Sequence, residues 1–303
     1  MRIFITGGTG FNGKFVVRKL DNGKNKLLLL SRNPKSLTRS KNIFSLRGDL
    51  SQISTWKDDL RNFKPQAAIH LAWEGIPDYG TQNSIKNLNY GLGLIELLGK
   101  VGCQTILVTG SILEYGNQTG KLGEDFCTKP FNALTAAKNS LHYLGREIAN
   151  EYKINFIWVR LSSVYGHGRQ ETSLIPYLIK SVQTNKKIEI RNPGARNDFI
   201  YVEDAAEAIS QLIIKCKKSE VFNIGSGKLI SVKDIINKIS KIFKVKKEYS
   251  VTRQKQIDSF SSAYANISRI KNEIGWQPKI DLEEGLKKTI GDSRKERPLI
   301  PVN

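Results

Sequence analysis

The sequence predicts an α/β protein whose core is a doubly wound parallel sheet and whose C-terminal part adds a smaller lobe. Short aliphatic runs alternate with longer helical patterns through the first half of the chain, and a glycine-rich turn follows the first run. Beyond residue 165, glycine and proline break this pattern into shorter pieces. With 303 residues and 39% hydrophobic composition, the chain is long enough to bury a substantial core.

Five runs in the first half have the length and the aliphatic content of buried strands. They are continuously apolar because helices cover both faces of such a parallel sheet. The predicted strands are Ile3 to Thr6, Leu27 to Ser31, Ala67 to Ala72, Thr105 to Thr109 and Phe156 to Leu161. The predicted helices between them are Asn12 to Leu20, Gln82 to Val101 and Leu134 to Tyr152, whose lengths suit crossover connections.

The change of pattern after residue 165 divides the chain into a core and a lobe. We expect residues 1–165 to form the core and residues 199–226 to return to its sheet. Residues 166–198 and 227–303 are expected to form the lobe. The returning segment is predicted to hold strands over Asp198 to Val202 and Val221 to Ile224, with a helix near Glu203 to Lys215.

The chain carries 48 Lys and Arg against 28 Asp and Glu, a formal net charge of +20. The lysines are spread along the chain without interleaved aromatic residues, which favours solvated surface charge over nucleic-acid binding. No run approaches the roughly 18 apolar residues of a membrane span, and the first residues lack a signal-peptide layout. We therefore expect a cytoplasmic protein with neither a nucleic-acid nor a membrane partner.

The three cysteines and three histidines are scattered along the sequence. They form neither a CxxC pair nor the HxH and HExxH patterns that hold transition metals. An odd number of scattered cysteines is also typical of a reducing compartment. The sequence therefore predicts no metal site and no disulfide framework.

A glycine motif, TGGTGFNG, stands directly after the first predicted strand and opens the first predicted helix. Gly7 and Gly10 permit a tight turn and a close approach of backbone to a pyrophosphate, and Gly13 permits the helix to pack closely on the strand. Phe11 and Asn12 begin the helix, whose N-terminal N–H groups favour an anion. This placement predicts a Rossmann dinucleotide-binding site.

The end of the second strand decides which dinucleotide is expected. A carboxylate there would hydrogen-bond the ribose 2′-hydroxyl of NAD(H), but this strand ends in Ser31 and is followed by Arg32. Arg32 therefore favours NADP(H) over NAD(H). Further cofactor contacts are expected at Asp49 and Leu50, which follow an additional short strand before residue 49, and at Leu71, Ala72 and Trp73, where the strand Ala67 to Ala72 ends.

These residues resemble the extended short-chain dehydrogenase/reductases, the NAD-dependent epimerase/dehydratase family that modifies nucleotide-linked sugars. Further motifs that carry the resemblance are His70-Leu71-Ala72, Asn87, SILEYG at 111–116, Val164-Tyr165-Gly166, DFIYVED at 198–204, FNIG at 222–225 and IGWQP at 274–278. The segment HLAWEGIPDY is similar to a branch found in bacterial surface-polysaccharide gene sets. The resemblance implies a nucleotide-diphosphate sugar as substrate and a homodimer formed through paired helices.

The resemblance also implies a catalytic Ser or Thr, a Tyr that exchanges the proton, and a Lys four residues after the Tyr. Ser111 and Lys138 match the first and last of these, but the residue four before Lys138 is Leu134, and no YxxxK occurs in the sequence. Loss of a positioned acid typically costs about 10²- to 10⁴-fold in rate. Candidate replacements are Thr135, Glu114 and Tyr115.

The residues after Ser111 narrow the expected reaction. The dehydratases of the family carry Asp-Glu where this chain has Ile112-Leu113, and the 3,5-epimerase/reductases carry a Cys in place of Leu113. Both reactions are therefore disfavoured. Our first interpretation is an NADP(H)-dependent reductase of a 4-keto-6-deoxy nucleotide sugar in surface-polysaccharide synthesis; the alternatives are a nucleotide-sugar 4-epimerase and a non-catalytic NADP(H)-binding protein.

The substrate contacts are expected on the lobe and at the turn after Ser111. A diphosphate needs cationic partners, and arginine provides bidentate ones. The resemblance places a substrate contact at Ser163 and a phosphate contact near Asn197. The full expected set is Leu113, Ser163, His167, Arg169, Arg196, Asn197 and Arg253.

Overall fold

A computed structural model describes residues 1–34, 40–245, 248–251 and 262–293. Within these residues, seven parallel strands form the central sheet: β1 Arg2–Thr6, β2 Lys26–Ser31, β3 Ile43–Arg47, β4 Ala67–His70, β5 Thr105–Ser111, β7 Asn155–Leu161 and β12 Glu220–Ile224. Their spatial order is β12-β7-β5-β4-β1-β2-β3. The chain adds β2 and β3 on one side of β1, and then β4, β5, β7 and β12 on the other side. The predicted doubly wound α/β fold is therefore confirmed.

The helices cover both faces of this sheet. Along β1, Ile3 and Ile5 point into one core, which the helices at 11–20 and 202–215 cover, and Phe4 points into the other, which the helices at 81–100 and 133–151 cover. This alternation follows from the two-residue period of a strand. The described helices are α1 Phe11–Leu20, α2 Lys57–Phe63, α3 Thr81–Lys100, α4 Ala133–Glu151, α5 Leu174–Gln183, α6 Val202–Lys215, α7 Val232–Phe243, α8 Ser268–Ile274 and α9 Leu282–Ser293. None of these helices has both the length and the apolar character needed to cross a membrane.

Smaller sheets lie beyond the carboxyl ends of the central strands. In the described residues they comprise β6 Gly120–Leu122, β10 Arg196–Asn197, β13 Ile230–Ser231 and β15 Ala263–Ala265 in one sheet, β8 Ser163–Tyr165 with β11 Phe199–Tyr201, and β9 Ile188–Ile190 with β14 Tyr249–Val251. The strand β6 was not predicted. It lies between β5 and α4, in the part assigned to the core, yet it pairs with β15. The division of the chain at residue 165 stays a prediction. The pairing of β6 with β15 joins a segment assigned to the core with one assigned to the lobe.

Strand β4 ends at His70, two residues earlier than predicted. The Leu71 N–H still donates to the carbonyl of Thr6 at 3.1 Å. The backbone after β1 turns at Gly7 with a φ of +72°, and a Cβ built at Gly7 would lie 2.6 Å from the nitrogen of Ala72. The backbone after Leu71 therefore leaves the sheet to pack against the glycine turn.

The segment predicted as a strand over Asp198 to Val202 also differs from the expectation. Its strand, β11, pairs with β8 and not with the central sheet. Asp198 precedes it, and its buried carboxylate accepts hydrogen bonds from the backbone N–H groups of Ser226, Gly227 and Ala265 at 2.6, 3.1 and 3.0 Å. Burial raises the pKa of this carboxyl group. Asp198 thus joins three segments of the chain at the start of β11.

Candidate functional site

The glycine turn after β1 packs closely against its surroundings. Gly10 N–H donates to the carbonyl of Gly7 at 3.0 Å, which closes the turn. A Cβ at Gly13 would lie 2.0 Å from that same carbonyl oxygen, so any side chain there would displace backbone. Glycine is required at Gly7 as well, because its φ of +72° is one that other residues rarely adopt.

The N-terminus of α1 is open to an anionic group. Its N-cap residue, Gly10, offers no side chain to the first N–H groups, and the first turn holds no acidic residue. The buried Oδ1 atom of Asn12 has no hydrogen-bond partner among the described residues. Unpaired N–H groups and the positive end of the helix dipole favour a phosphate at this position. The turn therefore fits the pyrophosphate of a dinucleotide.

A cavity of about 620 Å³ opens in front of this turn. This volume lies within the roughly 300–1,000 Å³ of typical cofactor and ligand pockets. Except for Lys138, all the residues predicted to bind the cofactor line it: Gly7, Gly10, Phe11, Asn12, Gly13, Ser31, Arg32, Asp49, Leu50, Leu71, Ala72 and Trp73. Lining residues that the sequence did not predict include Thr9, Lys14, Glu74, Gly75, Tyr90, Gly168 and Gln170.

Arg32 meets two carboxylates at the wall of the cavity. Its Nη1 lies 3.2 Å from Glu74 Oε1, and its Nε lies 3.9 Å from Asp49 Oδ2. The pKa of Asp49 is lowered, first by the hydrogen bonds that its side chain accepts from Ser51. Sequence reasoning missed the contact with Glu74, since the two residues are 42 positions apart and the loop after β4 brings them together.

Lys138 lies behind Trp73. Its ammonium donates to the carbonyl of Thr109 at 3.0 Å and lies 4.7 Å from the centroid of the Trp73 ring. Burial lowers the pKa of Lys138 to about 8. In the described part of the chain, Trp73 lines the cavity while Lys138 and Ser111 do not. Lys138 therefore lies against the Trp73 wall of the cavity without lining the cavity itself.

His70, at the end of β4, is a buried neutral group beside Lys138. Its Nδ1 lies 2.7 Å from Thr6 Oγ1. Burial, followed by the positive charge of Lys138, lowers the pKa of His70 to about 4. The imidazole is therefore uncharged near neutral pH, and its role here is to join β4 to β1.

Ser111 begins a short 3₁₀ helix, Ile112–Tyr115, and is held by its capping box. Its Oγ accepts from the Leu113 N–H at 3.2 Å, and its own N–H donates to Glu114 Oε1 at 2.6 Å. The other oxygen of Glu114 accepts from Arg160 Nε at 2.9 Å and from Trp158 Nε1 at 3.0 Å. Glu114 and Arg160 are both buried. Glu114 thus connects the Ser111 turn to Trp158 and Arg160 of β7.

The three predicted replacements for the missing tyrosine are all engaged in structural contacts. Glu114 is paired with Arg160. The Thr135 hydroxyl is fully buried in the N-cap of α4, where it donates to the carbonyl of Asn132 at 3.0 Å. The Tyr115 hydroxyl is buried and donates to Asn223 Oδ1 at 2.9 Å. Leu134 itself is only 3% exposed.

The predicted substrate residues are dispersed. Arg169 lines the cavity, with its Cζ 5.2 Å from the centroid of the Phe11 ring. The other described members of the set do not line it: Leu113 lies in the 3₁₀ helix, Ser163 in β8, His167 in the turn after β8, and Arg196 and Asn197 in β10. Arg253 lies outside the described residues. Within those residues, no three His, Cys, Asp or Glu side chains come together as a metal-binding group.

Comparison with known proteins gives three kinds of similarity. The model of the family described as "NAD dependent epimerase/dehydratase family" matches residues 3–225. The UDP-glucuronate 4-epimerase of Thermodesulfobacterium geofontis is 27% identical over 274 residues, which cover 87% of this chain and 83% of the relative. The dTDP-4-dehydro-6-deoxyglucose reductase of Escherichia coli is 26% identical over 309 residues, 96% of this chain and 97% of the relative. The structure of MoeE5 in complex with UDP-glucuronic acid and NAD superposes with a TM-score of 0.85 at 24% identity, covering 98% of this chain and all of that chain.

Proposed function

This chain belongs to the NAD dependent epimerase/dehydratase family, and on that premise we propose that it is an NADP(H)-dependent reductase of a 4-keto-6-deoxy nucleotide sugar in bacterial surface-polysaccharide synthesis. One observation carries the proposal. The residues predicted for the cofactor, except Lys138, line a single cavity at the open N-terminus of α1; Lys138 lies against the Trp73 ring and donates to Thr109 in β5, the strand that ends at Ser111. The cavity has a suitable size for a dinucleotide. Ser111 and Lys138 are residue types that can hydrogen-bond a carbonyl oxygen and a ribose.

Each part of the site has a proposed task. When bound, the nicotinamide would supply a hydride to the carbonyl carbon of the sugar, and the resulting alkoxide would take its proton from water, because Leu134 provides no acid. The N–H groups of α1 hold the pyrophosphate, and Arg32 faces the 2′-phosphate. Lys138 holds the nicotinamide ribose through its ammonium, and the Ser111 hydroxyl hydrogen-bonds the carbonyl oxygen so that the developing negative charge is stabilised.

The relatives support two reactions at this site. The Escherichia coli relative is a reductase of a dTDP-linked 4-keto sugar, and the Thermodesulfobacterium relative is a 4-epimerase of UDP-glucuronate. Both reactions transfer a hydride at a sugar carbonyl. A nucleotide-sugar 4-epimerase is therefore the second candidate, and the fate of the cofactor separates the two: a reductase consumes NADPH, whereas an epimerase regenerates its cofactor in each cycle.

Leu134 is the position that tests whether the site is catalytic. The family tyrosine would lie one helical turn before Lys138, on the same face of α4, where the nearby ammonium would lower its pKa. We expect slow native turnover, and a gain of about 10²- to 10⁴-fold in Leu134→Tyr. Leu134→Phe is the matched control, since it adds the ring without the hydroxyl. Loss of NADPH absorbance with a dTDP-linked 4-keto-6-deoxy sugar measures the rate.

The outcomes separate the interpretations. A gain in Leu134→Tyr and none in Leu134→Phe supports a reductase site that lacks only its acid. Product formed from UDP-glucuronate without consumption of NADPH favours the epimerase. No turnover in any form, with NADPH bound by calorimetry, favours the non-catalytic NADP(H)-binding protein.

The assembly and the substrate contacts are proposed as well. Helices α3 and α4 pack side by side, and their exposed faces carry Ile85, Tyr143 and Leu144 at 49, 47 and 50% exposure. These apolar side chains support a homodimer through the two helices. Sedimentation of the native protein and of a Leu144→Glu variant tests it: the native protein should sediment as a dimer and the variant as a monomer. Arg169 is the one described member of the predicted substrate set that lines the cavity, and it is therefore the candidate best placed to reach a diphosphate.

A further inference from the structure

The carboxylate of Glu74 holds the guanidinium of Arg32, on which the preference for NADP(H) depends. Arg32 follows β2 and Glu74 lies in the loop after β4, and their side chains meet at 3.2 Å at the wall of the cavity. The second oxygen of Glu74 lies 3.4 Å from Lys86 Nζ on α3. Glu74 therefore neutralises two neighbouring cations at the place where the end of β2 meets the cavity.

The backbone of Glu74 is held in place by the side chain of Asn87. Asn87 Oδ1 accepts a hydrogen bond from the Glu74 N–H at 2.7 Å, and Asn87 Nδ2 donates to the Glu74 carbonyl at 3.0 Å. Asn87 is buried in α3, where Nδ2 also donates to the carbonyl of Asn83 at 2.7 Å. The carboxylate thus projects into the cleft from a backbone that is held at both of its polar groups.

We infer that Glu74 sets how strongly this chain discriminates between NADP(H) and NAD(H), an inference that rests on the proposed function. A 2′-phosphate has to replace the Glu74 carboxylate as the partner of Arg32, and the carboxylate repels it while it does so. NAD(H) has no 2′-phosphate and meets neither penalty. Because the side chains of Arg32 and Glu74 are 70% and 39% exposed, their pairing contributes little to folding. Its effect is on the choice of ligand.

The variant Glu74→Gln keeps the size of the side chain and removes its charge. We expect its Kd for NADPH to fall about tenfold, and its Kd for NADH to stay within about twofold of the native value. Its Tm should equal that of the native protein, which separates an effect on the ligand from an effect on the fold. Glu96→Gln is the matched control, because Glu96 pairs with Lys100 at the other end of α3. This control should change neither Kd, and calorimetric titration of the full chain measures all of them.

Most of the gain has to act through Arg32. In an Arg32→Ala background, Glu74→Gln should improve NADPH binding less than about threefold, a difference of roughly 0.7 kcal/mol. A tenfold gain that persists without Arg32 overturns the inference. So does an unchanged ratio of the two Kd values in Glu74→Gln, when the native protein binds both dinucleotides; the proposed function then stands. Binding of neither dinucleotide by the native protein overturns the proposed function and this inference together.

Discussion

Glu114→Gln should destabilise the fold more than any comparable change at the surface. The Glu114 carboxylate is buried against the Arg160 guanidinium, with side-chain exposures of 0% and 3%. Glutamine keeps an oxygen for the Ser111 N–H but leaves the charge of Arg160 without a counter-ion. Removing one partner of a buried pair costs about 3–5 kcal/mol, and we expect the lower end because the amide retains one acceptor.

This magnitude converts to a measurable shift of the melting temperature. At about 2.1 cal/mol/K of unfolding entropy per residue, a chain of 303 residues shifts its Tm by about 1.6 °C per kcal/mol, so Glu114→Gln should lower Tm by about 5 °C. Calorimetry measures it directly. The control is Glu171→Gln, whose partner Lys180 and whose own side chain are both exposed, so the loss should stay below about 1 kcal/mol.

A second variant shows where the cost arises. Arg160→Met removes the charge that Glu114→Gln leaves unpaired, so the double variant should be less destabilised than the sum of the two single variants, by about 1–3 kcal/mol. A loss of Tm under about 2 °C in Glu114→Gln, or strict additivity in the double variant, would refute this account of the pair.

Three further predictions follow from the site. Gly13→Ala places a Cβ 2.0 Å from the carbonyl oxygen of Gly7, so calorimetry should find dinucleotide binding abolished, while Gly291→Ala, which meets no atom within 4 Å, should leave it intact. Because burial lowers the pKa of Lys138 to about 8, its ammonium is lost above that pH and dinucleotide affinity should fall there; titrations across pH should show no such fall in Lys138→Met. The pKa of His70 is about 4 in the folded chain against 6.5 unfolded, so its contribution to stability is complete above about pH 6.5 and is lost as the pH falls towards 4. Urea unfolding at several pH values should show a smaller loss of stability in acid for His70→Gln than for the native protein.

Local patterns allowed the sequence to predict the core of the fold and the wall of the cavity. The glycine motif and the strand before it are neighbours in sequence, and the turn between them is dictated by glycine at Gly7 and Gly13. The doubly wound arrangement could be predicted because β-α-β units can be wound in few ways. For the same reason, residues that follow the ends of parallel strands, such as Ser31 and Leu71, were expected at one edge of the sheet, where they lie.

Contacts between distant loops could not be predicted in this way. Arg32 and Glu74 are 42 residues apart, and Glu114 and Arg160 are 46 residues apart. No periodicity or spacing relates the members of either pair. Glu114 was therefore read as a possible acid, although its environment makes it a buried partner of Arg160. The strand β6 escaped prediction because its three residues, Gly120–Leu122, are too few for an alternating pattern to be recognised.

The short strand β6 bears on how such a protein could be recombined. It extends the sheet that carries β15, through hydrogen bonds from the Gly120 N–H to the carbonyl of Ser262 and from the Asn266 N–H to the carbonyl of Leu122. A chimera that takes everything after residue 226 from a relative would pair a foreign sheet with this chain's own edge strand. Strand β6 begins at Gly120, five residues after the end of the 3₁₀ helix at Tyr115. The predicted lobe and the segment after Ser111 are thus linked through this pairing, and a graft that folds has to carry both β6 and β15 from one parent.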